Sequence, residues 1–439
     1  MSPVTLESPP TPFVRSVFLD APSWNHAGLP AWFVQSQRTA WESFTNLPMP
    51  GRRDESWRFA DLKLLSFDAF TAPTGSPDGA SAPTPAPAST LEKTAARLVF
   101  VNDTLVSKDI TDPAVQVLTL TEALAQHGDR LESILTTTST GLGSEKFAAL
   151  HQAQLRDAVV IIVPANTEIA DPVEIIHWLT GENSAAFPRT IILTEHHAKV
   201  TVLEHHLSQD DTAGFSLGAA QIIAADASAI NYALLNQRNA ASKSIHLSTV
   251  STGRDASVRH SLFNLAAGWT RTECRSLLTG PGSRSEMFSV ALAAGNQEID
   301  QRTLQDHLSP NSYSDLLYKN VLFDTAKTIF AGLIKVDDGA QGTDAYQKCR
   351  NLLLSDTCEA NSMPGLEINA DQVKCSHGST TGRIAEDELF YFESRGISRP
   401  DAARLIAVGF ANEVTTKVGH DAIEAILTTA IESRFAAQA

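Results

Sequence analysis

AKVTVLEH (198–205), ASAINYAL (227–234) and ASVRHSLF (256–263) each place a small residue ahead of a stretch in which apolar and polar side chains alternate. Their starts are 29 and 29 residues apart, and a weaker echo, SRSEMFSV, begins 27 residues later at Ser283. Alternation with period two is the signature of a strand with one buried face. A period of this length marks supersecondary units that bury a continuous core only by stacking on their neighbours. Around the repeat, residues 157–385 keep one grammar. Short β-branched runs such as AVVIIV, TIILT and AAQIIAA are broken by Gly, Asn, Asp and Ser, with no helix-length periodic stretch between them. A β-sandwich or propeller would also supply short strands, but would show hairpin turns of the Asn-Gly or Asp-Gly type. The only such pairs are Asp78-Gly79 and Asp338-Gly339. The pattern therefore predicts a mainly β chain with a parallel β-helix core.

The flanks read differently. Residues 1–70 include PAWFVQSQRTAWESFTNL, with apolar residues three and four apart, and ESWRFADLKLLSF, where Trp57 and Phe59 are placed to anchor the segment on a neighbour. This predicts an N-terminal helical region. Residues 71–92 form a Pro/Ala/Ser-rich linker, because TAPTGSPDGASAPTPAPAS cannot bury enough apolar surface to offset the entropy of ordering it. Residues 93–156 are a mixed connecting segment. Beyond 385, Ser398 followed by Asp401 predicts a helix cap, and Leu405, Ile406, Phe410, Val414 and Val418 recur at helical spacing, so 386–439 is read as a C-terminal helical region.

Composition excludes several function classes. The 439 residues carry 34 basic and 50 acidic side chains, a formal charge of −16 without a basic cluster, which argues against nucleic acid as partner. There is no apolar run of membrane-spanning length. The start, MSPVTLESPPTPFVRS, lacks the basic and apolar regions of a secretory signal, so the expected location is cytoplasmic. The four cysteines, Cys274, Cys349, Cys358 and Cys375, are then expected as thiols. GPGSRS at 280–285 lacks the lysine of a phosphate-cradling loop and no helix follows it, so any nucleotide chemistry belongs to a partner.

Three groups of residues carry candidate chemistry. Glu204, His205 and His206 lie in one strand, and Asp300, Asp306 and His307 in another. Both sets suit a metal or an acid–base pair in a β-helix carbohydrate enzyme, although EHH on an exposed strand face is ordinarily a solvated polar face. The third is VKCSHGSTTGR, 373–383. Along a strand, Val373, Cys375 and His377 share a face, with neighbours two apart separated by about 6–7 Å. A thiolate and an imidazole so placed suit iron or a small cluster, but two ligands fall short of the usual four, so a partner must complete the set. The bland alternative draws both residues into the β-helix core.

The stretches SYSDLLYKNVLFDTAKTIFAGLIKVDDGAQGTDAYQKCRNLLLS and PGLEINADQVKCSHGSTTGRIAEDELFYFESRGIS closely resemble the SufB/SufD family of iron–sulfur cluster assembly proteins. The likeness covers about 312–415 and is weaker in the strand region and in ESWRFADL at 55–62. KCSHG, with Gly378 after His377, is similar to the SufD branch, whereas the SufB branch has an acidic residue there. The resemblance implies a right-handed parallel β-helix between helical regions, in a non-catalytic subunit of an ATPase-containing assembly complex. Its implied partners are a SufB-like paralogue, met through the β-helices, and a SufC-like ATPase, with sulfur reaching the complex from a cysteine desulfurase. It implies no cofactor held stably by the chain alone, but transient iron or an iron–sulfur cluster at the interface with SufB. His377 and Cys375 match the interface motif. The segment 390–410, FYFESRGISRPDAARLIAVGF, matches the ATPase-docking region, with Phe390, Phe392, Arg395, Leu405, Ile406 and Phe410 as docking candidates. Leu389, Phe390, Phe392 and Ile397 would alternatively cap the open end of the β-helix. Cys349 departs from the SufD pattern, standing where SufB has its interface cysteine. This admits a second reading, a SufB-like scaffold chain that itself holds the nascent cluster. Because the paralogues offer similar edges, a homodimer of the isolated chain along the same surface is a further expectation.

Overall fold

The protein was analysed as a computed structural model that describes residues 16–22, 28–72, 90–136, 139–209 and 211–436. Two parallel sheets run the length of the molecule, and the chain passes from one to the other and back in eight successive coils. Sheet I stacks Val173–Leu179, Lys199–Ser208, Ala229–Asn236, Ser257–Asn264, Arg284–Ala293, Tyr313–Leu322, Asp344–Leu353 and Lys374–Gly382. Sheet II stacks Val159–Val163, Arg189–Thr194, Gly214–Ala224, Lys243–Thr252, Trp269–Leu278, Glu298–His307, Lys327–Val336 and Glu359–Ile368. This is a parallel β-helix, as the repeat predicts. Both sheets begin earlier in the chain: the hairpin of Ala96–Val101 and Thr104–Ile110 extends sheet I, and Gln116–Thr119 extends sheet II.

The small residue that opens each repeat has a structural reason. At one corner of six successive coils a residue takes the left-handed conformation, at His197, Ala227, Asp255, Gly282, Asn311 and Gly342. Its backbone N–H donates to a carbonyl of the next coil, from His197 to Asp226 (3.2 Å) through Gly342 to Gln372 (2.7 Å). The residue that follows turns inward: Ala198, Ser228, Ala256, Ser283, Ser312 and Thr343 are all buried. Only a small side chain fits there, because stacked coils lie about 4.8 Å apart. The register differs from the sequence repeat by one residue. Lys199 stacks on Ala229 and Ala229 on Ser257, so Ser228, and not Ala227, fills the corner above Ala198. The spacing is 30 then 28 where the sequence suggests 29 and 29.

The lumen is filled by an apolar column that includes Val202, Tyr232, Leu262, Met287, Leu316 and Phe330. The outer face of sheet II is covered by the N-terminal region, which consists of helix α1 (Ala31–Asn46), the short turns Glu55–Trp57 and Leu62–Leu64, and α3 (Glu145–Gln154). Here Trp57 is buried and stacks on Trp269 (centroids 6.4 Å apart, planes 7° apart), while Arg271 stands 3.8 Å over its ring. Phe59 does not anchor: it is 40 % exposed and held at φ 71°. Helix α2 (Leu120–Leu135) starts at a capping box of Thr119 and Glu122 and packs near α1 and the first strands of sheet II. Of the expected linker, residues 73–89 lie outside the described residues.

The C-terminal region forms helices α4 (Glu386–Glu393), α5 (Arg399–Thr415) and α6 (Asp421–Ala436). Ser398 caps α5 by accepting the Asp401 N–H, as its spacing predicts. Ala407, Ala411, Val414, Val418, Ile423, Leu427 and Ile431 pack on the outward residues of sheet I, among them Phe263, Phe288, Val290 and Leu317. Fully burying the valine, isoleucine and leucine side chains among these contributes about 1.5–3 kcal/mol each, which fixes these helices to the flank of the solenoid. Among the described residues no helix is long and apolar enough to cross a membrane.

Candidate functional site

Glu359–Ile368 and Lys374–Gly382 are the terminal strands of the two sheets. Among the described residues each pairs with a single neighbour and leaves a free backbone edge. In the coil below, period-two alternation turns Ala345, Gln347, Cys349 and Asn351 into the lumen and leaves Lys348 and Arg350 outside. The parallel register sets Cys375 on Ala345, His377 on Gln347, Ser379 on Cys349 and Thr381 on Asn351. Cys375, His377, Ser379 and Thr381 therefore continue the inward column. Among the described residues no further coil covers them, so His377, Ser379 and Thr381 are exposed and Cys375 half-buried. The inward face that the strand pattern predicts thus exists, but at this coil it opens to solvent. The C-terminal helices do not close it. Leu389 is buried beside Leu353, Leu354 and Ile384, while Phe390 is 70 % exposed and Phe392 and Ile397 are half-buried.

A polar ladder leads from the lumen to this mouth. Asn320 Nδ2 donates to Asn351 Oδ1 (2.8 Å), and Asn351 Nδ2 donates to Ser362 Oγ (3.1 Å) and Thr381 Oγ1 (3.0 Å). Cys349 lies beside the ladder, 3.7 Å from Asn320 Nδ2, Asn351 Oδ1 and Ser362 Oγ. Burial pushes its thiol up to about 12, so it is protonated and poorly nucleophilic at neutral pH. Burial also raises the Cys375 thiol, helped by the charge of Asp344. The mouth accordingly offers two reachable donors, His377 and Cys375, with Cys349 one coil below. Free strand edges beside them are able to pair with another chain.

The helical docking candidates divide by exposure. Phe390, Arg395 and Leu405 face solvent together with Tyr391, whereas Phe392, Ile406 and Phe410 are half-buried. Phe410 is tied down by the buried Lys319, whose Nζ lies 4.2 Å over its ring and donates to its carbonyl (2.8 Å) and to Glu413.

The other two groups are not solvated faces. Glu204, His205 and His206 are each buried. His205 points outward, 3.2 Å from Glu174, and the other two point into the lumen. His206 Nε2 lies 2.7 Å from Glu204 Oε1, and Glu204 Oε2 accepts from Thr190 (2.8 Å) and Tyr232 (2.9 Å). His177 stacks directly on His206, with Nε2 3.4 Å from Glu204 Oε1. Burial holds both imidazoles neutral, His177 down to about 3 and His206 well below its ordinary value. The three donor atoms lie within 4.8 Å of one another, so the group could hold a metal ion. Sequence reading missed His177, although its separation from His206 equals the repeat length of 29. In the last group, Asp300 and Asp306 face outward and bind Arg271, Arg302 and Arg275, while His307 turns inward to Ser312 and Ser314. The strand separates these residues, and they form no common site.

A family profile described as SUF system FeS cluster assembly, SufBD core domain, matches residues 177–410. Over 376 residues the chain is 30 % identical to the iron–sulfur cluster assembly protein SufD of Escherichia coli, covering 84 % of this chain and 85 % of that protein. It is 26 % identical to SufD of Bacillus subtilis over 332 residues, 75 % of this chain and 76 % of the other. A SufBD-family protein of Synechocystis sp. is 28 % identical over 421 residues, 91 % of each chain. With the β-helix, the open terminal coil and these matches together, the chain belongs to the SufBD family of iron–sulfur cluster assembly proteins of the SUF system.

Proposed function

We propose that this chain is a SufD-type subunit of a cytoplasmic cluster assembly complex, in which it pairs end-on with a SufB-type paralogue and recruits a SufC-type ATPase. The reading rests on the terminal coil. An inward column carrying Cys375 and His377 is left open, between two strands with free edges. A partner β-helix placed there would gain backbone hydrogen bonds along both edges and bring its own ligands over the mouth, which supplies what two donors lack for iron or a cluster. Cargo would pass transiently, held between chains. The exposed Phe390, Tyr391 and Leu405, on the adjacent helices α4 and α5, would form the ATPase contact. The subunit would then contribute position and ligands, while ATP chemistry stays with the partner. The sequence match to SufD relatives supports this branch over a SufB-like chain, and the buried, protonated Cys349 supports it further.

The test is anaerobic co-expression with SufB-type and SufC-type partners, followed by mass determination and an absorption spectrum, wild type beside His377→Ala. A three-component complex whose cluster absorption falls in the variant is expected. A chain that purifies alone, colourless and indifferent to the substitution, would refute the proposal. Cys349→Ala is expected to leave cluster assembly intact, and loss of assembly would favour the SufB-like reading.

A further inference from the structure

The lumen of the first coils holds a group that the mouth does not use. The donor atoms of His177, Glu204 and His206 converge within 4.8 Å, and the distances from Glu204 Oε1 are 2.7 Å to His206 Nε2 and 3.4 Å to His177 Nε2. Around a tetrahedral ion with bonds of about 2.0–2.1 Å, donors stand roughly 3.3–3.4 Å apart, so small side-chain shifts suffice to bring this set around one. Unsatisfied atoms point the same way. His177 Nε2 and both ring nitrogens of His246 are buried without a hydrogen-bond partner, and the His246 ring lies 5.7 Å from that of His206. Gly218 keeps room between those rings: a Cβ there would stand 2.8 Å from His246 Nδ1 and 3.4 Å from His206 Cε1.

Arg238 sets the condition for binding. Its Nη1 lies 2.9 Å from His206 Nδ1. A guanidinium only donates, so Nδ1 accepts and the ring proton sits on Nε2, aimed at Glu204. A cation on Nε2 requires that proton to move to Nδ1, and Arg238 must withdraw to admit it. Asp103, which lines a small cavity together with His177, keeps a buried Oδ1 that accepts no hydrogen bond and so offers an acceptor to the withdrawn guanidinium.

We propose that His177, Glu204 and His206 form a divalent-cation site of the zinc or ferrous-iron class inside the solenoid, with Arg238 as the counter-charge that a metal must displace. Two imidazoles and a carboxylate suit such ions, and a fourth position is left for water or His246. No electron moves and no net proton is released, because His206 only exchanges its Nε2 proton for one on Nδ1. This site is independent of the reading of the mouth.

The test uses the full chain in a Cys375→Ala/His377→Ala background, so that zinc bound at the mouth does not count. After chelator treatment, Zn²⁺ is added and, anaerobically, Fe²⁺. Metal per chain is measured after desalting, and affinity by competition. One ion per chain is expected, lost in Glu204→Gln, with affinity raised about tenfold or more in Arg238→Met, because a positive charge beside the ion no longer opposes it. An ion retained equally by Glu204→Gln, or no ion in either wild type or Arg238→Met, would overturn the assignment. Should Arg238→Met fail to fold, His177→Gln decides, since its Nε2 makes no hydrogen bond to lose: affinity should fall at least tenfold, and unchanged affinity overturns the site.

Discussion

Acidification from pH 7 to pH 5 tests the burial of the imidazoles directly. Six imidazoles are depressed by burial: His151 and His177 to about 3, His260 and His307 to about 4, and His206 and His246 well below their ordinary value. Unfolded, each returns to about 6.5. The sign follows from linkage. Folded values below unfolded ones mean that stability is complete above pH 6.5 and is lost as pH falls, because the unfolded chain then binds more protons. Asp103 acts the other way, since burial raises its carboxyl to about 6 and the folded chain keeps a proton there at pH 5. Six protons taken up less one released leaves about five at pH 5, and the raised carboxyls of Asp157, Glu298 and Asp315 trim this further. Three to five protons correspond to about 4–7 kcal/mol lost per pH unit. Against a total stability of about 5–15 kcal/mol, cooperative unfolding is expected between pH 6 and 4.5. Urea unfolding followed by tryptophan fluorescence at pH 7, 6 and 5 measures the slope, and proton uptake in weakly buffered solution counts the protons. Uptake of one proton or none at pH 5, or a urea midpoint unchanged from pH 7, would refute the buried-imidazole account.

Arg271→Met should cost about 3–5 kcal/mol in the same assay. Arg271 is fully buried between Glu273 (2.7 Å) and Asp300 (2.5 Å), and its removal leaves a buried carboxylate without its counter-charge; a loss under 1 kcal/mol would contradict this. Trp57→Ala should cost about 3–5 kcal/mol and raise hydrogen exchange in 55–64 selectively, because Trp57 stacks on Trp269 and donates to the Gly143 carbonyl (2.7 Å). Alkylation of the native chain at pH 8, read by mass spectrometry, should label the half-buried Cys358 and Cys375 well before Cys274 and Cys349, both buried and raised in thiol pKa; early labelling of Cys349 would show the mouth opening one coil deeper. Leu405→Asp should abolish binding of the proposed SufC-type partner with a melting temperature within about 2 °C of wild type, since Leu405 is 48 % exposed; retained binding would refute the proposed docking surface.

The β-helix was legible because its cause is local and repeated. Six successive coils place a small inward residue at the corner ahead of alternating side chains, and the chain writes both at intervals close to 29 residues. The α5 cap was legible for the same reason, as Ser398 and Asp401 meet within one turn. The VKCSH face was also readable, since period two puts Cys375 and His377 on one side whatever surrounds the strand.

What only the tertiary structure decided is what lies across from each face. Alternation names an inward side but cannot say that the coils stop after Gly382, and that ending is what exposes His377 while Cys349, one coil below on the same side, is sealed. Nor does a strand show its neighbours. Glu204 and His206 read as solvated until stacking sets His177 on His206 and the chain brings Arg238 against them, and Phe59, apolar and beside Trp57, is turned outward by its backbone. Sequence by itself determined the period, the faces and the family. Register between coils, and the point where stacking ends, determined which of those faces meets water, because burial depends on contacts between residues about 29 apart and not on the residues alone.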